Sequence, residues 1–163
     1  MYHPTVDRVK NLLASHQIEF DFFDHEPVRT SEEAAKVRTG YSINQGAKAL
    51  IVKVTGRVGV ETYLMLVLPG DKRFDSKLAK SSLEAKAMRF ATEAEVSSLT
   101  QGVQVGGVPP FGSLFSLPTF VDPLVLANEK IVFNAGDRCA SIGIASQDYL
   151  KVENPTVLAI VSD

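Results

Sequence analysis

The fold is decided by three consecutive stretches: Ala47-Lys-Ala-Leu-Ile-Val-Lys-Val-Thr55, then Gly56-Arg-Val-Gly59, then Val60-Glu-Thr-Tyr-Leu-Met-Leu-Val-Leu68. Two apolar runs joined by a short segment with glycines are typical of a β-hairpin. The sequence therefore predicts two antiparallel strands at the centre of the chain, followed by a break at Pro69-Gly70. Such a hairpin excludes a purely parallel sheet.

Helices and strands are predicted to alternate on both sides of this hairpin. A helix is expected after Pro4-Thr5, and the capping boxes Thr30-Ser-Glu-Glu33 and Thr92-Glu-Ala-Glu95 each predict a helix start. Asp75 is expected to cap another helix, and residues 146–150 to form a helical turn. Further strands are predicted at residues 18–23, 86–91, 119–121, 130–134, 141–145 and 156–161. The pattern indicates a single α/β domain, residues 1–163, with a mixed sheet.

The composition is that of an ordinary globular domain. Of 163 residues, 45% are hydrophobic and 22% are charged, and this length corresponds to one domain. The single cysteine, Cys139, excludes an intramolecular disulfide and a multi-cysteine zinc site. No apolar run reaches the ~18 residues that would span a bilayer, and the chain does not begin like a signal peptide. We expect a cytoplasmic protein without a membrane partner.

Positive charge is concentrated in one segment of the chain. Residues 36–89 contain eleven lysines and arginines and four acidic residues, a net charge of +7, whereas the whole chain carries −2. One positive face on a mildly acidic protein suits weak, salt-sensitive contact with phosphates. The alternative is a set of solvated surface lysines. The charge distribution alone leaves both open.

The sequence offers few side chains for covalent catalysis. It contains no phosphate-binding glycine loop, no dinucleotide-binding fingerprint, no zinc-protease motif and no nucleophile elbow. Cys139 is a candidate nucleophile, but a lone cysteine is more often a small core residue. His25 is a candidate base, but a loop histidine before Glu26-Pro27 is more often a structural hydrogen-bonding group.

Lys48 and a glycine-rich loop are the stronger candidates. Lys48 lies in an apolar strand, so its ammonium must either extend along the surface to solvent or point into a polar cavity. The loop, Gly106-Gly-Val-Pro-Pro-Phe-Gly112, offers backbone amides that can hold an oxyanion, a carbonyl or a sugar oxygen. Its alternative is a rigid connection. Together they suit a site that positions a labile substrate for attack by water or by the substrate's own hydroxyl.

The chain resembles the YbaK/prolyl-tRNA-synthetase-associated editing domains, which are aminoacyl-tRNA deacylases. The resemblance runs from about His25 to Leu150. It is carried by several segments in the family's order: His25-Glu-Pro-Val-Arg-Thr30 with Glu32-Glu-Ala-Ala35, Ala47-Lys-Ala-Leu-Ile-Val-Lys53, Leu66-Val-Leu-Pro-Gly-Asp71, Lys86-Ala-Met-Arg-Phe-Ala91, Gly106-Gly-Val-Pro-Pro-Phe-Gly112, and Ile131-Val-Phe-Asn-Ala-Gly136 with Ser141-Ile142.

The resemblance implies a YbaK-like fold, a mostly antiparallel and partly curled mixed sheet flanked by helices, and a site. Lys48 matches the lysine that holds the substrate's 3′ end near the scissile ester. Gly106 and Pro110 match the family's Gly-x-x-x-Pro motif, whose backbone fixes the substrate carbonyl and the terminal adenosine. The rest of the loop is expected to contribute to substrate binding with them: Gly107, Phe111 and Gly112. Thr30 and Ser141 are expected to line the pocket.

The implied reaction is hydrolysis of a small amino acid wrongly attached to tRNA, most typically tRNA-Pro, without metal or cofactor. The implied partners are the acceptor end of aminoacyl-tRNA and, as a second candidate, an aminoacyl-tRNA synthetase. Gln101 before Gly102, and Ser141 where some relatives carry an acidic residue, leave the amino acid open among alanine, cysteine, serine and others of that size. The alternative function is a non-catalytic module that binds tRNA or a synthetase.

Overall fold

Helices and strands alternate along the chain, and the computed structural model describes them for residues 1–28 and 30–162, leaving Arg29 and Asp163 outside the described residues. The helices are α1 (Thr5–Ser15), α2 (Ser31–Val37), α3 (Ser76–Ser82), α4 (Glu93–Thr100), α5 (Pro123–Leu126) and α6 (Ser146–Glu153). The strands are β1 (Asp21–Asp24), β2 (Ala47–Thr55), β3 (Glu61–Pro69), β4 (Arg73–Phe74), β5 (Ala87–Phe90), β6 (Thr119–Val121), β7 (Lys130–Asp137), β8 (Ala140–Ala145), β9 (Thr156–Val157) and β10 (Val161–Ser162). Within the described ranges, no helix has the length and apolar character needed to cross a membrane.

The predicted central hairpin is confirmed. Strands β2 and β3 pair antiparallel over their whole length, from Ala47 opposite Pro69 to Thr55 opposite Glu61. The connecting turn contains Gly59 at a φ of +85°, a conformation that residues with a Cβ adopt only with strain. This hairpin is the centre of a five-stranded sheet in the order β5-β2-β3-β6-β9.

The sheet is mixed, as the hairpin predicted. β5 adds antiparallel to β2, whereas β6 adds parallel to β3 and β9 parallel to β6. A second, fully antiparallel sheet has the order β1-β8-β7. A parallel bridge between Gly46 and Val132 connects the two sheets at the start of β2.

Both faces of the central hairpin are covered. On one face, apolar residues of β2 and β3 pack in a large core with β7, β8, α1, α4 and α6. On the other, Val52, Val54, Leu64, Leu66 and Leu68 pack with Ala79 of α3 and Ile160. Since both faces are buried, a charged side chain on β2 can reach solvent only at the ends or the edge of the strand.

The prediction of one last strand over residues 156–161 is wrong. The structure has two short strands there, β9 paired with β6 and β10 paired with β4, in different sheets. The buried carboxylate of Asp122 accepts hydrogen bonds from the backbone N–H groups of Ile160 (2.8 Å) and Val161 (3.2 Å). This side chain replaces the strand partner at that point, so the chain leaves one sheet and joins another.

Candidate active site

A cavity of about 410 Å³ opens beside the first half of β2. Its wall comes from α2, the start of β2, β7, and the glycine-rich loop that precedes a short 3-10 helix at residues 112–115. Most lining side chains are aliphatic, and the polar ones are few: Thr30, Ser31, Arg38, Ser42, Lys48 and Asn134. A concave, mainly apolar site with a few polar groups is the usual form of a small-ligand pocket.

The cavity exists because the five-stranded sheet is incomplete along β2. Strand β5 pairs with β2 only at residues 52–55, and its last contact is the N–H of Ala91 donating to the C=O of Ile51 at 2.9 Å. In an antiparallel strand, the backbone groups of every second residue point to the same side. Those of Ala49 therefore point toward the cavity, which Ala49 lines. The backbone N–H and C=O of Ala49 are therefore placed at an edge where a ligand can reach them.

Lys48 lies on the cavity wall, opposite Leu68 of β3. Its side chain is exposed, and it forms no ion pair with a described residue. Lys53, on the other face of β2, is instead neutralised by Glu61 at 2.6 Å. Lys48 thus borders the cavity and also reaches solvent, the two positions that the sequence left open. A cation there can bind a phosphate or carboxylate, or polarise a carbonyl.

Arg38 brings a second positive charge to the wall, and it is only 7% exposed. Its Nε donates to Oγ of Ser141 and its Nη2 to Oδ1 of Asn134, both at 3.0 Å. Both partners are neutral. Burial lowers the pKa of Arg38 to about 10, so the guanidinium is still protonated at neutral pH. The cavity therefore has a fixed cation whose described partners do not cancel its charge.

Ser141 is fully buried behind this arginine and does not itself line the cavity. Its Oγ also lies 2.7 Å from Nε2 of His25, whose Nδ1 lies 2.8 Å from the backbone oxygen of Glu26. Because a carbonyl oxygen only accepts, Nδ1 of His25 carries the proton and donates. The Ser141 hydroxyl therefore contacts three side chains, His25, Arg38 and Asn134, and its Oγ lies 3.2 Å from Oδ1 of Asn134. His25 is thus a structural partner of Ser141 and lies outside the cavity wall.

The glycine-rich loop reaches the cavity through Gly106 and Val108. Asn134 Nδ2 donates to the C=O of Gly106, and Arg138 Nε donates to the C=O of Val105 at 3.0 Å. Gly106 has a φ of +91°, and a Cβ there would lie 3.6 Å from Nε of Arg138. The loop backbone is therefore held from β7 and from the β7–β8 turn, and Asn134 connects it to Arg38.

The remaining predicted loop residues are buried and lie outside the cavity wall: Gly107, Pro110, Phe111 and Gly112. Phe111 packs edge-on against Phe133 and Tyr149 in the main core, and Tyr149 donates its hydroxyl to the C=O of Pro110 at 2.7 Å. These contacts anchor the loop in the core, and substrate binding by these four residues stays a prediction.

Thr30 lines the cavity, but its hydroxyl has a structural task. Its Oγ1 accepts from the N–H of Glu33 at 3.1 Å and caps α2, as the capping box predicted. Cys139 lies outside the wall. Burial and the nearby Asp137 carboxylate raise the pKa of its thiol, which disfavours the nucleophilic thiolate. The geometry gives no support to a thiol enzyme.

Sequence reasoning missed most residues of the wall, and among them are Arg38, Asn134 and Phe90. Arg38 looked like one of many surface cations, because its partners follow 96 and 103 residues later in the chain. Asn134 and Phe90 lie inside segments that carried the family resemblance, yet neither stands out by residue type. The one local signal is the spacing on α2, because Arg38 lies four residues after the buried Ala34 and therefore on the same face of the helix.

Comparison with known proteins indicates which reaction belongs to this site. A family model described as "Aminoacyl-tRNA editing domain" matches residues 25–152, which include every lining residue named above. The fold and the cavity thus define an editing domain acting on aminoacyl-tRNA. The chain belongs to the aminoacyl-tRNA editing domain family, and it is a hydrolase of the aminoacyl ester bond, an aminoacyl-tRNA deacylase. Of the two functions that the sequence left open, the family supports the enzyme.

Individual relatives agree with this assignment. The chain is 33% identical over 155 residues to the Multifunctional Ser/Thr-tRNA deacylase ProXp-y of Escherichia coli K12, which covers 94% of this chain and 91% of the relative. The crystal structure of hypothetical protein APE2540 has a TM-score of 0.81 at 26% identity and covers 95% of this chain and 99% of that one. A candidate trans-editing enzyme for prolyl-tRNA synthetase also has a TM-score of 0.81, at 24% identity, with both chains fully covered.

Proposed function

We propose that this deacylase removes a small hydroxylated amino acid, serine or threonine, from the 3′ end of tRNA. The E. coli relative, 33% identical over 94% of the chain, is named for that pair of amino acids. The small side chains of Ala34, Ala35 and Ala47 in the wall suit a small substrate side chain. Arg38 and Asn134 supply polar atoms on the same wall, which suits a substrate hydroxyl.

The observation that carries the proposal is Lys48 beside the unpaired edge of β2. An ammonium and a backbone N–H, that of Ala49, border one small cavity. Both are donors that can stabilise negative charge on an ester oxygen. The described lining residues include no histidine, cysteine or carboxylate. This supports a reaction in which the protein positions the ester and stabilises charge, while water is the nucleophile.

In the proposed reaction, water adds to the carbonyl carbon of the aminoacyl ester. The electron pair of the C=O bond moves to the oxygen, where Lys48 and the N–H of Ala49 stabilise it. The bond between the carbonyl carbon and the ribose oxygen then breaks. The ribose oxygen takes a proton, so that free amino acid and uncharged tRNA leave. The neighbouring ribose hydroxyl of the substrate is the group placed to accept and return the proton of the attacking water.

Several finer points are part of the same proposal. We infer that tRNA-Pro is a substrate, that a synthetase can deliver it, and that the protein works in the cytoplasm. We also infer that residues 1–163 form one editing domain, although the family model matches only residues 25–152. Support comes from Val9 and Leu13 of α1, which are buried in the main core, and from Ile160, which is buried in the second core.

The test is deacylation of a panel of charged tRNAs by the wild type and by Lys48→Ala. The panel contains Ser-, Ala-, Cys- and Pro-tRNA-Pro together with Ser-tRNA-Ser, Thr-tRNA-Thr and Ala-tRNA-Ala. We expect turnover of the seryl and threonyl esters, and a loss of about 100-fold in kcat/KM in Lys48→Ala, as for removal of one charge-stabilising donor. Lys151→Ala, an exposed lysine on α6 outside both the wall and the basic segment, is the matched control.

Two outcomes contradict the proposal at different points. Equal rates for wild type and Lys48→Ala would show that the ammonium does not act on the ester. Turnover confined to the alanyl or cysteinyl esters would leave an editing enzyme but overturn the assignment to serine and threonine.

A further inference from the structure

Phe90 is an aromatic side chain on the cavity wall that the proposed reaction does not use. It is 56% exposed. The other large apolar side chains that are exposed in the described part of the chain, apart from Met1, are aliphatic: Val58, Val60, Val105, Leu124 and Val157. An exposed phenyl ring at a ligand cavity is a ready surface for a planar partner.

The ring is held from one side only. Phe74 of β4 contacts it with the ring centroids 5.4 Å apart and the planes tilted by 48°. The backbone of Phe90 is fixed by its pairing with Val52 of β2, and its C=O accepts from Nη1 of Arg89 at 3.1 Å. The backbone and one side of the ring are therefore ordered by protein contacts, while more than half of the side chain remains open.

The position of Phe90 relative to Lys48 fits one nucleoside. Cross-strand partners point to the same face of a sheet, so Phe90 shares the face of Val52, and hence of Leu50 and Lys48. Val52 follows Lys48 by four positions on β2, about 13 Å along the strand. The long side chains of Lys48 and Phe90 shorten that gap. A substrate with its ester at Lys48 would bring its terminal base to the rim where Phe90 lies.

Positive charge continues from Phe90 along the same side of the protein. Helix α3 packs on this face of the sheet through Ala79, and its Lys77 and Lys80 are exposed. These two lysines lie three residues apart and therefore project from one face of the helix. Aromatic rings combined with a positive surface are the usual means of binding single-stranded nucleic acid.

We propose that Phe90 stacks on the 3′-terminal adenine of the tRNA and so positions the ester at Lys48. This inference rests on the proposed function and adds the group that recognises the base of the terminal nucleotide. Phe90 is a positioning residue here, because it acts on the base and not on the reacting atoms. Stacking of one base on an aromatic side chain corresponds to a change in affinity of about tenfold.

The experiment compares short acceptor-stem RNAs that end either in CCA or in CC followed by an abasic ribose. Binding of the uncharged RNAs is measured by fluorescence anisotropy with the wild type, Phe90→Leu and Phe90→Trp. We expect the wild type to prefer the CCA end about tenfold, Phe90→Leu to lose this preference without weaker binding of the abasic RNA, and Phe90→Trp to keep it. Leu124→Ala, an exposed apolar residue outside the cavity, is the control for loss of apolar surface.

Kinetics on the seryl-charged CCA stem provides the second readout. Phe90→Leu should raise KM about tenfold and leave kcat nearly unchanged, since the reacting groups are intact. A preference for the CCA end that persists in Phe90→Leu would overturn this inference, even if the wild type deacylates the stem. A wild type that does not deacylate any charged stem, but whose base preference depends on Phe90, would instead overturn the proposed function and support the stacking contact.

Discussion

Arg38 is a charged residue that the fold buries against neutral partners. Moving an ion out of water costs several kcal/mol, and the oxygens of Ser141 and Asn134 offset only part of that cost. The guanidinium nevertheless stays charged, since burial lowers the pKa of Arg38 only to about 10. A substrate oxygen in the cavity would gain a charged donor that water does not screen. The arrangement favours ligand binding at the expense of stability.

The substitution Ser141→Ala tests whether this hydroxyl stabilises the buried arginine. Ser141→Ala removes the oxygen that Nε of Arg38 and Nε2 of His25 contact, and leaves both groups without that partner. We expect the free energy of unfolding to fall by about 1–3 kcal/mol, measured by urea denaturation. Deacylation should fall as well, because Arg38 then keeps only its hydrogen bond to Asn134 to hold it at the wall.

Ser98 is the control for this substitution. It is exposed on α4, so Ser98→Ala should change the free energy of unfolding by no more than about 0.5 kcal/mol. If Ser141→Ala unfolds at the same urea concentration as Ser98→Ala, the serine hydroxyl does not hold the buried guanidinium.

At the scale of elements, the short length of β5 makes the site. If β5 paired along all of β2, the backbone of Ala49 would be satisfied by a strand and Lys48 would be covered. The chain instead turns away after Phe90 into α4. The start of α4 is fixed by a capping box in which Thr92 and Glu95 bond reciprocally, so this helix start determines where the cavity begins.

Glu95 connects α4 to Arg89 of β5 and Tyr63 of β3, and its ionisation makes the stability of the fold depend on pH in acid. Its carboxylate accepts hydrogen bonds from Arg89 at 2.7 Å and 3.0 Å, from the N–H of Thr92 at 2.9 Å and from the Tyr63 hydroxyl. These contacts, with that of Arg89 the largest, hold the pKa of Glu95 well below its usual range. The folded pKa is lower than the unfolded one, so the stabilisation is present above about pH 4.3 and is lost as the pH falls below it.

The variant Glu95→Gln should unfold at a lower urea concentration than the wild type at pH 7. The difference should shrink as the pH is lowered through 4 toward 2. Glu93→Gln, an exposed residue of the same helical turn, is the matched control and should follow the wild type at every pH. A difference for Glu95→Gln that is constant with pH would contradict the role of its charge.

At the scale of the whole molecule, two sheets meet at Gly46 and Val132, and the cavity lies at this junction. A Cβ at Gly46 would lie 3.2 Å from the C=O of Ile43 and 3.6 Å from Nη1 of Arg38. The first distance is tight and the second is an ordinary van der Waals contact, so the backbone oxygen of Ile43, and not the guanidinium, is the group that favours glycine here. Arg38 and Asn134, from distant parts of the chain, come together only because the sheets join here.

The basic segment, residues 36–89, predicts how binding of tRNA depends on salt. Lys53 and Arg89 are paired with Glu61 and Glu95, so we expect exposed lysines such as Lys77 and Lys80 of α3 to contact phosphates. Each lost phosphate contact should reduce the slope of log affinity against log salt concentration by about 0.9. Lys77→Glu combined with Lys80→Glu should therefore weaken binding at low salt and reduce the slope by about 2, measured by anisotropy with tRNA.

Lys151→Glu is the control for reversing a surface charge outside the basic segment. Lys151 is exposed on α6, outside the basic segment, so its reversal should leave the slope nearly unchanged. Equal slopes for the wild type and the α3 double variant would show that this face does not meet the RNA backbone.

Much of the fold could be predicted because its signals are local. The hairpin and the caps at Thr30, Asp75 and Thr92 depend on residues within a few positions of one another, and the structure has each of them. The last strand was predicted wrongly for the opposite reason. The partner that interrupts it, Asp122, lies 38 residues before Ile160, and no local pattern reports such a contact.

The sequence by itself determined the α/β class and the central hairpin, which follow from short-range periodicity and capping. It also carries the family resemblance through which Lys48 and Gly106 are predicted as site residues. Only the tertiary structure decided that Lys48 faces a cavity, that Phe111 anchors the loop from the core, and that Arg38, Asn134 and Phe90 border the site. The physical reason is that burial and strand pairing depend on residues far apart in the chain, and their partners become neighbours only when the sheets close.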